Sequence, residues 1–145
     1  MSARARATGS LEIELIGGDS SLADAAAATL DRLGVNRGHL AIEIVEPRRI
    51  HQLNREHRGK DAPTDVLSFP VDGETIARGE LPSSGDGPVE LGDVVICPAH
   101  TEDMAEATVH GVLHLCGFDH ETDDGEMLTL QDEIVTGLRA RGGGA

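Results

Sequence analysis

From Leu11 the chain reads Leu11-Glu12-Ile13-Glu14-Leu15-Ile16, apolar and acidic in turn, which predicts a strand buried on one face. Gly17-Gly18-Asp19 turns. Ser20 or Ser21 can then cap a helix through about Leu33, with Leu22, Ala25, Ala26, Thr29, Leu30 and Leu33 inward and Gly34 as its stop. Leu40 to Val45 alternates again and predicts a second strand. Pro47 suits the first turn of a helix that runs to about Arg58, with Ile50, Leu53 and His57 on one side and Gly59 ending it. Val66 to Val71 and Leu91 to Cys97 read as a third and a fourth strand. Between them, residues 72–88 are rich in Gly, Pro and Ser and lack apolar periodicity, so a long loop is expected; its charges are mostly acidic (Asp72, Glu74, Glu80, Asp86). A helix from about Ala99 to Cys116 follows. A last helix opens at Thr122 or Asp123, where Asp123 and Glu126 have the form of a capping box, and runs to about Arg139.

This order predicts an α+β fold: a small mixed, mostly parallel four-stranded sheet with helices packed on it. Residues 1–9 are expected as a disordered lead, 10–140 as a single domain, and 141–145 as a flexible tail.

Composition narrows the function. The chain has 145 residues and a formal charge of -14, which argues against a general polyanion binder. Five of its twelve Lys and Arg residues fall between Arg48 and Lys60 (Arg48, Arg49, Arg55, Arg58, Lys60), a local patch that can hold one anion at one place. Aromatics are 1% of the chain, so Phe69 and Phe118 are the only rings offered to the core, and stacking of many bases is excluded. Cys97 and Cys116 sit in apolar runs as small buried hydrophobes and form no disulfide framework. Arg4 and Arg6 are followed by no apolar segment, and no run reaches bilayer length; a cytoplasmic protein is expected, with neither a membrane nor DNA as partner.

The chemistry concentrates in His110-Gly111-Val112-Leu113-His114-Leu115-Cys116-Gly117-Phe118-Asp119-His120. Histidines four apart share one helix face. Gly117 allows the helix to end with φ > 0, so the chain can fold back and bring His120 to the same point. Three converging neutral imidazoles are a zinc-type site with a fourth position open, the catalytic arrangement, so 10–140 is expected as a metallohydrolase-like domain built on a central metal-binding helix. Cys116 lies two residues from His114 and points elsewhere on the helix. A second stretch, Leu53 to Pro70, places Arg58 and Lys60 at a helix C-terminus. There they serve either as plain partners of the helix dipole or, for Arg58, as a bidentate fork for a phosphate. Asp65 reads as a turn or cap residue.

LNREHRGKDAPTDVLSFP (Leu53 to Pro70), LGDVVICP (Leu91 to Pro98) and HGVLHLCGFDH (His110 to His120), in this order, resemble the YbeY-type metal-dependent endoribonucleases, bacterial rRNA maturation factors. The resemblance implies one zinc ion per chain on His110, His114 and His120, with another divalent transition metal as the alternative. It implies Arg58 as the phosphate-side catalytic residue, with His114 as the other catalytic residue. It implies single-strand-specific cleavage in 16S rRNA 3′-end maturation and ribosome quality control, with rRNA, the ribosome and a ribosomal protein as partners. Two alternatives stand beside it. One is a zinc metalloprotease-like hydrolase, since the spacing matches H-E-x-x-H-x-x-G-x-x-H; but Gly111 occupies the place of the general base, and Glu106 lies a turn away. The other is a non-catalytic, zinc-stabilised ribosome-associated factor.

Overall fold

Strand β1 (Ala3–Thr8) pairs antiparallel with β2 (Ser10–Ile16) in the computed structural model, which describes residues 3–8, 10–80 and 89–142. β1 lies in the stretch expected as a disordered lead. Its Ala-Arg alternation offers only alanines as apolar residues, too small to announce a strand; the open edge of β2 supplies the pairing. Helix α1 (Ser20–Arg32) follows, capped by Asp19 rather than by either serine: the Asp19 carboxylate accepts the Ser21 N–H at 2.9 Å. The helix returns the chain to β3 (Arg37–Ile44), parallel to β2.

Helix α2 (Pro47–Arg58) begins on its proline and ends at Gly59, whose φ of 68° is the left-handed conformation that glycine adopts without strain. Strand β4 (Val66–Pro70), the short helix α3 (Gly73–Ala77) and strand β5 (Glu90–Ile96) come next. The sheet order is β1-β2-β3-β5-β4, with β3 and β5 parallel and β4 and β5 antiparallel. The expected four-stranded mixed sheet is thus β2-β3-β5-β4, and β1 extends its far edge. The α2 crossover does not place β4 beside β3, because β5 slots between them.

The expected long loop is partly ordered by Ile76, 8% exposed, which anchors α3; residues 81–88, including Asp86, lie outside the described residues. After β5 comes a 3₁₀ turn (Pro98–His100), and α4 (Met104–Leu115) starts later than the apolar pattern indicates because Asp103 caps it, accepting the Glu106 N–H at 3.0 Å. Helix α5 (Glu126–Gly142) closes the fold. Asp123 does accept the Met127 N–H, at 2.9 Å, but Glu126 reaches back to the N–H of Asp124, so the helix begins at Glu126 rather than three residues earlier. At the other end Arg141 and Gly142, expected in the tail, are helical, and 143–145 lie outside the described residues.

Helices α1 and α4 cover one sheet face, where Leu22, Ala26 and Leu30 meet Ile13, Leu40, Ile42, Val94 and Val112. Helix α2 covers the far end of the other face, with Ile50 and Leu53 on Leu67 and Val95. Helix α5 packs outside α4, Met127, Ile134 and Val135 against Val109 and Leu113. Val109, Val112, Leu113 and Leu115 of α4 are all 0% exposed, each contributing roughly 1.5–3 kcal/mol of burial. The helix that carries His110 and His114 is therefore fixed on three sides.

Candidate metal centre

Helix α4 presents His110 and His114 one turn apart. Its C-terminus is a Schellman turn: Phe118 N–H bonds to Leu113 O and Gly117 N–H to His114 O, both at 3.0 Å, with Gly117 at φ 98°. The turn does two things. It throws the chain back so that His120 meets the helix pair, and it lays the Phe118 carbonyl over His114, whose Nδ1–H donates to it at 2.9 Å. The three half-buried imidazoles bring ligand nitrogens within 4.8 Å of one another, the only such metal-competent group among the described residues.

The donor set fits a cation. His110 Nδ1–H donates to Gln131 Oε1 at 2.7 Å and His114 Nδ1–H to the Phe118 carbonyl, so in both rings the proton sits on Nδ1 and Nε2 carries the lone pair. Those two Nε2 atoms face each other across 3.1 Å. Two lone pairs at that distance repel unless a positive charge lies between them, and tetrahedral zinc spaces imidazole nitrogens by roughly 3.3 Å. Burial, then the neighbouring His110 ring, holds the His114 imidazole below its ordinary pKa, in the neutral form that a metal needs. Cys116 is no ligand: it is the helix cap, buried, and burial pushes its thiol up to about 12.

The trio opens into a cavity of about 730 Å³ whose other wall includes His57 and Arg58 from the end of α2, and Ser68 and Phe69 from β4. Arg58 is exposed and lines the cavity, where its guanidinium can reach a ligand. Phe69 and Phe118, expected in the core, are half-buried and line this cavity, and His57 stands edge-on to Phe69 with ring centroids 4.9 Å apart. Asp65 is a turn residue: its carboxylate accepts the Val66 N–H at 2.8 Å and touches no imidazole. A groove of similar size, about 760 Å³, lies between α1 and the end of α5, but it is floored by Ala25, Ala28 and Leu138 and has no metal-ligating cluster.

Two further residues shape the site: Gly111, which the sequence marks only as the missing general base, and Gln131, which the sequence did not single out. Gly111 sits where α4 crosses the sheet; a Cβ there would stand 2.6 Å from Val94 Cγ1, and Ser68 Oγ donates to its carbonyl at 2.6 Å. That packing leaves no room for a glutamate at the position where a metalloprotease of this spacing keeps its general base. Gln131, on α5, holds His110; the signal was a polar residue in the apolar stripe of Met127, Ile134, Val135 and Leu138.

The cavity-side strand is the sheet edge. In its ladder with β5, Cys97 N–H bonds to Asp65 O at 2.8 Å and Val71 N–H to Leu91 O at 3.1 Å, so Leu67 and Phe69 also turn inward while Val66, Ser68 and Pro70 turn outward. The Val66 amide is taken by Asp65 and Pro70 has none, which leaves Ser68 N–H as the outward donor of β4.

Comparison with known proteins shows the family of the chain. The family model described as Endoribonuclease YbeY matches residues 18–139. Proteins named Endoribonuclease YbeY are 38% identical over 144 residues in Bacillus subtilis (88% of each chain) and 44% identical over 107 residues in Rubrobacter xylanophilus (72% of this chain, 70% of that one). The solution structure of TM1509 from Thermotoga maritima superposes with a TM-score of 0.52 at 26% identity, covering 90% of both chains. Matched by the family model over residues 18–139 and by relatives at 38% and 44% identity over most of its length, this chain belongs to the Endoribonuclease YbeY family.

Proposed function

We propose that the protein is a zinc-dependent, single-strand-specific endoribonuclease acting in 16S rRNA 3′-end maturation and ribosome quality control in the cytoplasm, with the ribosome and a ribosomal protein as its partners. Membership of the family makes it a hydrolase of RNA. The observation that carries the finer reading is the single cavity shared by the three imidazoles and Arg58. No helix among the described residues is long and apolar enough to cross a membrane.

His110, His114 and His120 would hold the metal, which when bound acts as a Lewis acid toward a phosphoryl oxygen or a water. Arg58 binds the scissile phosphate and meets the negative charge that grows on its oxygens as the bond to phosphorus forms and breaks. Arg48 and Arg55, seven residues apart and exposed on the same helix, continue the positive stripe away from Arg58 for neighbouring phosphates. A backbone must bend to bring one phosphate into the cavity, which favours a single strand. Phe69 and His57 offer a small face for one unstacked base.

The test is cleavage of a single-stranded rRNA fragment by Arg58→Ala. A fall of about 10²–10³ in kcat with unchanged metal content is expected. Full activity in that variant would remove Arg58 from the mechanism, and activity that survives complete metal removal would remove the metal.

A further inference from the structure

The helix α5 stripe that faces α4 is apolar at Met127, Ile134, Val135 and Leu138, and Gln131 interrupts it. A Gln in such a stripe loses solvation and holds its place only if its amide finds a partner. The partner is His110: its Nδ1–H donates to Gln131 Oε1 at 2.7 Å, a short contact between half-buried groups. We infer that Gln131 is a positioning residue of the metal centre, fixing the tautomer and rotation of His110 and thereby linking the seating of α5 to the grip on the metal. This rests on the reading of the trio as a metal site.

The reasoning follows from the imidazole itself. A neutral ring has one N–H and one lone pair, and the partner of the first decides where the second points. His114 is served by the backbone carbonyl of Phe118, which no substitution removes. His110 depends on a side chain from another helix. With Oε1 gone, its ring is free to carry the proton on Nε2, the nitrogen that faces His114, and in that form it cannot bind a cation. Conversely, a cation on Nε2 locks the proton on Nδ1 and strengthens the bond to α5, so metal binding and α5 docking reinforce each other.

The full-length protein and two variants separate this role from plain packing. Gln131→Met keeps the length of the side chain, suits a helix and completes the apolar stripe, but its thioether is only a weak acceptor. Gln131→Glu keeps an acceptor oxygen in the same place. Zinc affinity is measured by competition with a chelator of known affinity, beside the thermal stability of the metal-free proteins. The methionine variant should be as stable as the parent without metal yet bind zinc 10- to 100-fold more weakly. The glutamate variant should stay within a few fold of the parent. Long-range ¹H–¹⁵N spectra of the metal-free proteins should show His110 as the Nδ1–H tautomer in the parent and a mixture in the methionine variant. The inference is overturned if the methionine variant binds zinc within twofold of the parent, or if the glutamate variant loses as much as the methionine one. A parent protein that binds no zinc sinks the metal reading itself, and the inference with it.

Discussion

The hydroxyl of Ser68 bonds to the carbonyl of Gly111 at 2.6 Å, tying the cavity-side strand to the middle of the metal helix. The contact exists because residue 111 has no side chain, so α4 settles close enough for strand and helix backbones to be bridged by one serine.

Gly111→Ala therefore sets two effects against each other. Alanine gains up to about 1 kcal/mol of helix propensity. Its Cβ would stand 2.6 Å from Val94 Cγ1 and 3.1 Å from Val66 Cγ2, an overpacking that costs about 1–3 kcal/mol. Urea denaturation of the metal-free protein should show a net loss of roughly 1 kcal/mol. A variant as stable as the parent would mean that the helix shifts freely, contrary to its three-sided burial.

Metal should stabilise the fold, because its ligands come from both α4 and the turn beyond it. At zinc a hundredfold above the dissociation constant the gain is about 2.7 kcal/mol, several degrees in Tm. The shift should vanish in His114→Ala and on adding a chelator, which differential scanning fluorimetry reads directly.

Away from the cavity, on the sheet face that α2 leaves uncovered, His39 bonds to Glu90 at 2.8 Å and to Glu14 at 2.9 Å, with Glu12 at 3.9 Å. Burial by itself pulls this imidazole down, but the Glu14 and Glu90 carboxylates outweigh it and hold it above its ordinary value. A raised folded-state value gives stability that is complete below the unfolded-state value and is lost as pH rises through the folded one. The stability difference between the parent and His39→Gln should thus be larger near about pH 6 than near about pH 9. Equal differences at both values would show that the imidazolium contributes nothing.

Arg58→Lys keeps the charge but not the fork. Cleavage should fall to a level between the parent and Arg58→Ala, with Tm unchanged because the side chain is exposed. Kinetics on the same rRNA fragment decide it: a lysine variant equal to the parent would reduce the role of Arg58 to charge alone.

Much of the fold was legible because it rests on local rules. The alternation at Leu11 to Ile16, the proline opening α2 and the glycines ending α2 and α4 each name their own element. The histidine trio was legible for the same reason, since helix spacing and one glycine fix it. What was hidden depends on distant partners. Strand β1 needs the edge of β2, α3 needs a pocket for Ile76, and β5 inserts itself between β3 and β4 after both are laid down in sequence. Gln131 is 21 residues from the ring it holds, and the meaning of Gly111 appears only when Val94 is seen beneath it.

The outer rim of β4 bears on which polymer the cleft accepts. With the Val66 amide already occupied and Pro70 lacking one, a protein segment laid alongside would find a single hydrogen-bond donor where a template for strand addition needs an evenly spaced row. An extended polypeptide thus finds a ladder poor in donors at this doorway. A ribose-phosphate chain asks for no such ladder, only for one positive anchor and one backbone amide, and that is what the doorway offers.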